Sequence, residues 1–220
     1  METQSNKLAI CSFNCRSVKN SEHEIHQLCN VYDLILLQEH WLLPNVLGIL
    51  ISVHPDFMSV AHSAVDISSG LLTGRPYGGT AILYRKSLSQ FVTRVISSNP
   101  RITSVILETD VGPVLIVCVY MPTNYGNAEC HEEFIATCAH VTALYAECSA
   151  VHLIVAGDFN ILLKKSLHLF QRTAARRNML RCALQHVAAH LIAFKHNATH
   201  SRSGNRPLAV ATSANPQSAC

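Results

Sequence analysis

Short apolar runs, each bounded by polar residues, recur along most of the chain and constrain its fold more than any other feature. The run at residues 8–13 is followed by a helical pattern at 21–30 and a second run at 33–37. Runs of this length are typical of buried strands. The order strand, helix, strand predicts the opening of an α/β fold.

The middle of the chain contains consecutive apolar runs with no helical pattern between them. They lie at residues 57–61, 79–84, 91–97, 102–109 and 113–121. Consecutive strands without helices indicate antiparallel sheet, and Gly112-Pro113 marks a hairpin between the last two runs. The polar, Gly/Ser-rich stretch 62–78 is typical of a surface loop.

Two helices have candidate start signals. Ser21 and Glu24 have the spacing of a capping box for the helix at 21–30. Asn127 is suited to cap a helix that continues to about residue 147. The buried face predicted for that helix consists of Phe134, Ile135, Cys138, Val141 and Tyr145.

The last part of the chain differs in composition from the rest. A further buried strand is predicted at 151–156, and 166–194 is compatible with helix. From 195 to 220 we expect loop or disorder. The predicted domain therefore covers 7–194, followed by an irregular tail at 195–220.

Charge is unevenly placed along the chain. The net charge is +3, but residues 1–158 carry 8 Lys/Arg and 14 Asp/Glu, whereas 159–220 carry 9 Lys/Arg and no Asp or Glu. This asymmetry is compatible with an acidic site followed by a nucleic-acid-binding tail, or with two parts under different constraints.

The composition also indicates in which cellular compartment the protein is found. The nine cysteines include no C-x-x-C pair and most lie in apolar runs, which favours reduced thiols. The N-terminus has no signal-peptide pattern, and the apolar stretch 42–53 is too short and broken to span a bilayer. We therefore expect an intracellular protein, nuclear or cytoplasmic, that is neither secreted nor bound to a membrane.

Polar side chains follow three of the predicted buried strands at the points where the strands end. They are Asn14, Glu39 and Asp158, and Asn160 adds a fourth. Strand ends converge at one edge of a layered α/β sheet. Carboxylate and amide oxygens suit Mg²⁺ or Mn²⁺ and disfavour zinc. Taken singly, each residue is equally compatible with a turn or a solvated loop.

The ordered set of motifs resembles the endonuclease/exonuclease/phosphatase superfamily. The matching segments are SFNCR (12–16), LLQEHWL (36–42), GGTAILYR (78–85), VYMPTN (119–124) and GDFN (157–160). The amino-acid sequences of these segments are most similar to the endonuclease domain of LINE-type retrotransposon polyproteins. The resemblance is clear over residues 7–163 and implies a four-layered α/β/β/α sandwich of two mixed sheets flanked by helices.

The resemblance also implies a metal and a polymer substrate. Glu39 would bind the catalytic Mg²⁺, or Mn²⁺, with Asn14 beside it. Asn124 and Arg16 would contact the phosphate backbone of DNA. No obligate protein partner is evident, and we expect a monomer.

Three further residues would carry out the reaction, according to the same resemblance. Tyr120 would direct its hydroxyl to the scissile phosphate, and Asp158 would orient or deprotonate the attacking water. Asn160 would donate its amide to a phosphate oxygen. The implied activity is metal-dependent hydrolysis that nicks DNA.

Two segments that end the family pattern are missing, an Asp on a late strand and a Ser-Asp-His. No Asp or Glu follows Asp158, so residues 159–220 cannot supply an Asp–His pair. We therefore expect a truncated or degenerate copy with weak or no activity and an exposed apolar edge on the second sheet. The alternatives are a phosphatase acting on sugar or inositol phosphates and a non-catalytic nucleic-acid-binding remnant.

Overall fold

The apolar runs predicted as strands form the strands of two β-sheets. In the computed structural model, residues 8–68, 70, 74–123 and 127–160 are described. The strands are β1 (Ile10–Asn14), β2 (Leu34–Gln38), β3 (Phe57–His62), β4 (Thr80–Arg85), β5 (Val92–Val95), β6 (Ile102–Leu107), β7 (Val114–Tyr120) and β8 (His152–Asp158). The α-helices are α1 (Glu22–Val31), α2 (Ile49–Ser52) and α3 (Ala128–Glu147), and short 3-10 helices occupy Pro44–Val46 and Lys86–Phe91.

Each sheet is mixed and contains four strands within the described part of the chain. The strand order is β1-β2-β4-β3 in the first sheet and β5-β6-β7-β8 in the second. The pairs β1–β2 and β7–β8 are parallel, and the remaining pairs are antiparallel. The predicted hairpin between β6 and β7 is confirmed.

The two sheets pack face to face through side chains that alternate along the strands. Leu36 and Ile82 from the first sheet meet Ile116 and Cys118 from the second, and all four are fully buried. This apolar layer fixes the position of one sheet against the other. It therefore also fixes which strand ends share a rim.

Helices cover the outer faces of the sheets. From α1, Ile25 and Cys29 pack on the first sheet, and from α3, Val141 and Leu144 pack on the second. The order of layers is helix, sheet, sheet, helix, which confirms the predicted α/β/β/α sandwich of two mixed sheets.

Two local predictions were wrong. The side chain of Ser21 makes no capping hydrogen bond to α1, and its hydroxyl instead donates to the carbonyl of Cys15 at 2.8 Å. Ile135 is exposed, and Leu144 takes its place on the buried face of α3. The 3.6-residue period places Leu144, rather than Ile135, in line with Val141.

The cap at α3 was predicted correctly. The side-chain oxygen of Asn127 accepts from the backbone N–H of Cys130 at 3.0 Å. The helix-compatible stretch 166–194, the tail 195–220 and the domain boundary between them lie outside the described residues. The predicted apolar edge of the second sheet depends on the same residues and stays a prediction.

Gly157 is the position in β8 where the backbone leaves no room for a side chain. It pairs with Val119 of β7, and a Cβ at Gly157 would overlap the carbonyl oxygen of Val119. We predict that Gly157→Ala lowers the free energy of unfolding by about 3 kcal/mol, because β7 and β8 would have to separate. Urea denaturation measures this loss.

Gly48→Ala is the matched control for this substitution. Gly48 has an ordinary helical φ of −57°, and a Cβ there would meet nothing within 4 Å. We expect its unfolding free energy to stay within about 1 kcal/mol of the wild-type value. Equal losses at the two glycines would contradict the packing described for β8.

Candidate active site

The carboxyl ends of the two parallel strand pairs form one rim of the sandwich. Asn14, the last residue of β1, is in register with Gln38 of β2. Tyr120, the last residue of β7, is in register with Asp158 of β8. Glu39 follows directly after β2. The strand-end residues singled out in the sequence therefore lie at the same edge.

Asn14 joins carboxylates that belong to different sheets. Its side-chain nitrogen donates to Glu39 Oε1 at 2.7 Å and to Asp158 Oδ2 at 2.9 Å. Its side-chain oxygen accepts from the backbone N–H of Arg16 at 3.3 Å. The amide is thus oriented with its donor side toward both carboxylates, which are drawn to a common point.

Tyr120 lies against the same two carboxylates. Burial raises the pKa of its phenol to about 12, and the negative charge of Glu39, a hydrogen bond to Glu39 and the charge of Asp158 act in the same direction. The nearby Arg101 lowers the pKa of Tyr120. The phenol is therefore protonated near neutral pH and acts as a hydrogen-bond donor.

Asn160 is held close to the carboxylates by backbone contacts. Its N–H donates to Asp158 Oδ1 at 3.0 Å, and its side-chain nitrogen donates to the carbonyl of Met121 at 2.8 Å. Arg16 is exposed beside Asn14. Asn124, the remaining predicted contact with DNA, lies outside the described residues.

The turn that carries Glu39 has an unusual backbone. Glu39 and Trp41 both adopt left-handed φ values, 57° and 56°. Such a conformation costs a non-glycine residue roughly 1–3 kcal/mol and persists only where neighbouring contacts enforce it.

Backbone hydrogen bonds from neighbouring segments supply those contacts. Glu39 N donates to Gly79 O at 2.9 Å, and Trp41 N donates to Gly78 O at 3.1 Å. Ser17 N donates to Glu39 O at 2.8 Å. The turn is therefore tied to the entry of β4 on one side and to the loop after β1 on the other. The sequence pattern gave no signal for this conformation.

Arg101 is a site residue that the sequence reasoning missed. Its guanidinium lies 5.8 Å from the ring centroid of Tyr120 and donates to the Tyr120 carbonyl at 3.3 Å. It also forms an ion pair with Glu133 of α3 at 2.6 Å. Arg101 comes directly before β6 and reaches Tyr120 only through sheet pairing, so no local motif marks it.

The donors at this rim suit a hard divalent cation. Within the described ranges, no group of three or more His, Cys, Asp or Glu is arranged to hold a metal. The site instead offers the carboxylates of Glu39 and Asp158 with amides beside them. Mg²⁺ is commonly bound through one or two carboxylates and keeps several of its waters, so this donor set fits Mg²⁺.

The nearest thiols do not change this conclusion. Burial raises the pKa of Cys15 and of Cys118 to about 12, so both stay protonated near neutral pH. Cys15 Sγ donates to the carbonyls of Gln38 and Glu39, at 3.4 and 3.6 Å, and Cys118 Sγ donates to the carbonyl of Leu37 at 3.3 Å. Both thiols therefore contact backbone carbonyls, and the groups gathered at the rim are carboxylates, amides and a phenol.

Carboxylate, amide and phenol groups thus gather on one rim of a sandwich of two mixed sheets, the architecture of a layered α/β domain with a polar site at its strand ends. The chain belongs to the endonuclease/exonuclease/phosphatase family, whose model matches residues 11–212. Members of this family are hydrolytic enzymes, nucleases and phosphatases, and they generally use divalent metal ions. The superfamily assignment made from the motifs is therefore confirmed.

Solved structures support the same fold. The AP endonuclease LMAP from Leishmania major matches with a TM-score of 0.56 at 14% identity, over 89% of this chain and 73% of that one. The 3′ phosphatase NExo from Neisseria, bound to product DNA hairpin, matches with a TM-score of 0.52 at 17% identity, over 70% and 58% of the two chains. An AP endonuclease from Archaeoglobus fulgidus matches with a TM-score of 0.50 at 14% identity, again over 70% and 58%.

Sequence identities of 14–17% establish only that the fold is shared. The matched part of the chain spans 58% of the length of the Neisseria and Archaeoglobus proteins. No curated protein matches the chain by sequence. In the part of the chain that the structure describes, no helix is long and apolar enough to cross a membrane.

The raised pKa of Tyr120 predicts a specific pH dependence of stability. The folded protein holds this proton up to a pKa of about 12, whereas the unfolded chain loses it near 10.0. Its contribution to stability is therefore complete below pH 10 and is lost as the pH rises through this window. We predict that wild-type stability falls more steeply over the window than that of Tyr120→Phe.

Urea denaturation at a series of pH values measures this difference. The raised thiol pKa values affect both proteins equally, so the difference between them isolates Tyr120. Parallel stability curves would contradict the environment described for the phenol.

Proposed function

We propose that the chain hydrolyses phosphodiester bonds in DNA with the help of Mg²⁺, as a nicking endonuclease of the LINE type. The observation that carries this proposal is the convergence of Glu39 and Asp158 on the amide of Asn14, at 2.7 and 2.9 Å. Residues 144 positions apart in the chain meet there in an oxygen-rich site.

Glu39, supported by Asn14, would hold the metal beside Asp158. When bound, Mg²⁺, or Mn²⁺ in its place, neutralises charge that develops on the phosphoryl group. Asn14 donates to both carboxylates and so holds them at a separation that their mutual repulsion opposes.

The remaining side chains of the rim handle the substrate and its proton. The protonated phenol of Tyr120 donates to a phosphate oxygen. Asp158 orients the attacking water and accepts its proton. Asn160 turns its side-chain amide from the Met121 carbonyl to a second phosphate oxygen. Positioning and charge stabilisation of this kind supply most of the catalysis in phosphoryl transfer.

The proposal that DNA is the substrate depends on the residues of three motifs and on surface charge. LQEHWL, RPYGGTAILYRK and VYMPTN resemble LINE-type endonucleases most. Arg16 is exposed at the rim, where a phosphate backbone would pass. Asn124, the second predicted DNA contact, lies four residues after Tyr120 in the sequence. We propose that the protein binds DNA as a monomer.

We further propose that these 220 residues act slowly by themselves. No Asp or Glu follows Asp158, so residues 159–220 contain no carboxylate that orients a histidine. Loss of a general acid or base lowers a rate by about 10²–10⁴-fold. With Glu39 and Asn14 in place to hold the metal, the chain would retain at most weak activity.

Substitution of the two carboxylates tests the proposal. We predict that Glu39→Ala and Asp158→Ala each lower Mg²⁺-dependent nicking of supercoiled plasmid by at least about 100-fold. Glu108→Ala is the matched control, because Glu108 is exposed and follows β6 at the end opposite the rim. We expect it to nick at the wild-type rate.

Inositol phosphate hydrolysis and DNA binding, measured beside plasmid nicking, distinguish the two alternative functions. Hydrolysis of inositol phosphates without plasmid nicking would identify a phosphatase. Salt-sensitive DNA binding that survives both substitutions, with no product from any variant, would identify a non-catalytic nucleic-acid-binding protein. Either result would overturn the proposed endonuclease.

A further inference from the structure

The buried imidazole of His40 directly follows Glu39, and the motifs of the sequence give it no role. We propose that His40 is a positioning residue that holds Glu39 in its left-handed turn and so sets the direction of the Glu39 carboxylate. The proposal rests on the proposed metal site, and it concerns the residue that keeps this site in shape rather than a group that touches substrate.

Both ring nitrogens of His40 are used by the backbone. Nδ1 accepts from the N–H of Leu42 at 3.0 Å, and Nε2 donates to the carbonyl of His62 at 3.0 Å. The first contact requires an unprotonated Nδ1, so the ring carries its proton on Nε2. With 1% of its surface exposed, His40 cannot reach a substrate.

The ring of His40 fits a space that exists only because residue 79 is glycine. Gly79 has a φ of +85°, and a Cβ on it would overlap the ring of His40. The carbonyl of the same glycine accepts from Glu39 N at 2.9 Å. The imidazole and the hydrogen bond to Glu39 therefore depend on the same residue.

These contacts connect the turn to three strands of the first sheet. Glu39 follows β2, the partner carbonyl of His62 ends β3, and Gly79 precedes β4. The backbone carbonyl of His40 also accepts from Val18 N at 3.2 Å, beyond β1. Without the imidazole, the turn loses its anchor to β3 and the packing against β4. Glu39 and Trp41 can then leave the left-handed conformation, and the Glu39 carboxylate moves beyond hydrogen-bonding distance of Asn14.

The chain contains a matched control for this role. His54 is also buried, at 6% exposure, and its Nδ1 accepts from the backbone N–H two residues further on, Asp56 N at 3.1 Å. His54 lies beside Phe57, which begins β3 at the end away from the rim. His40→Phe removes the acceptor of Leu42 N together with the bond to His62, His54→Phe removes the acceptor of Asp56 N, and both variants keep an aromatic ring.

The experiment compares these variants by two readouts on the full chain. Backbone ¹³C chemical shifts report whether Glu39 and Trp41 keep the left-handed conformation, without metal or substrate. Binding of Mn²⁺ alone, followed by electron paramagnetic resonance, reports the metal site. Urea denaturation measures the stability that each variant loses, so that a change in metal binding can be compared with the loss of stability.

We expect His40→Phe to lose the left-handed shifts of Glu39 and Trp41 and to weaken Mn²⁺ binding by about 10–100-fold, the usual effect of a supporting residue. His54→Phe should keep both within about twofold of wild type. His40→Asn, whose side-chain oxygen can replace Nδ1 as acceptor for Leu42, should recover part of the affinity.

Wild-type shifts in His40→Phe, or equal effects of both histidines, would overturn the positioning role. Mn²⁺ binding by the wild type without any DNA hydrolysis would contradict the proposed function and leave the role of His40 intact. If the wild type binds no Mn²⁺, the proposed metal site fails, and the chemical shifts alone decide the role of His40.

Discussion

The hydrogen bonds of Asn14 to Glu39 and Asp158 are the interaction on which the site depends. Two carboxylates close together repel each other, and they come from different sheets with no covalent reason to meet. The amide of Asn14 offsets part of this repulsion by donating to both. Its orientation is fixed in turn by the N–H of Arg16, so a local turn after β1 controls the spacing of both charges.

The scaffold makes this arrangement possible by aligning strand ends across two sheets. The apolar layer between the sheets sets their relative position, and the parallel pairs β1–β2 and β7–β8 bring their carboxyl ends to the same rim. Gly157 lets β8 approach β7 closely enough for Asp158 to lie beside Tyr120. Burial there, together with the two carboxylates, raises the pKa of the Tyr120 phenol, so the phenol stays protonated and able to donate.

The sequence predicted the strands and the residues at their ends because both depend on local pattern. Apolar runs of strand length are visible without a structure, and polar residues that follow them mark the rim. The contacts that shape the site are not local. Arg101 reaches Tyr120 across a strand pair, and His40 fits against Gly79 in another segment. The hydroxyl of Ser21 likewise prefers the carbonyl of Cys15 to the start of its own helix, which no helix-capping pattern can reveal.

A crystal structure of the protein soaked in Mn²⁺, with the anomalous signal of the metal, tests the central claim most directly. The account predicts an anomalous peak at the rim, roughly 2 Å from a carboxylate oxygen of Glu39 and beside Asp158 and Asn14. A rim without a peak, or a metal bound elsewhere with Glu39 and Asp158 apart, would contradict it.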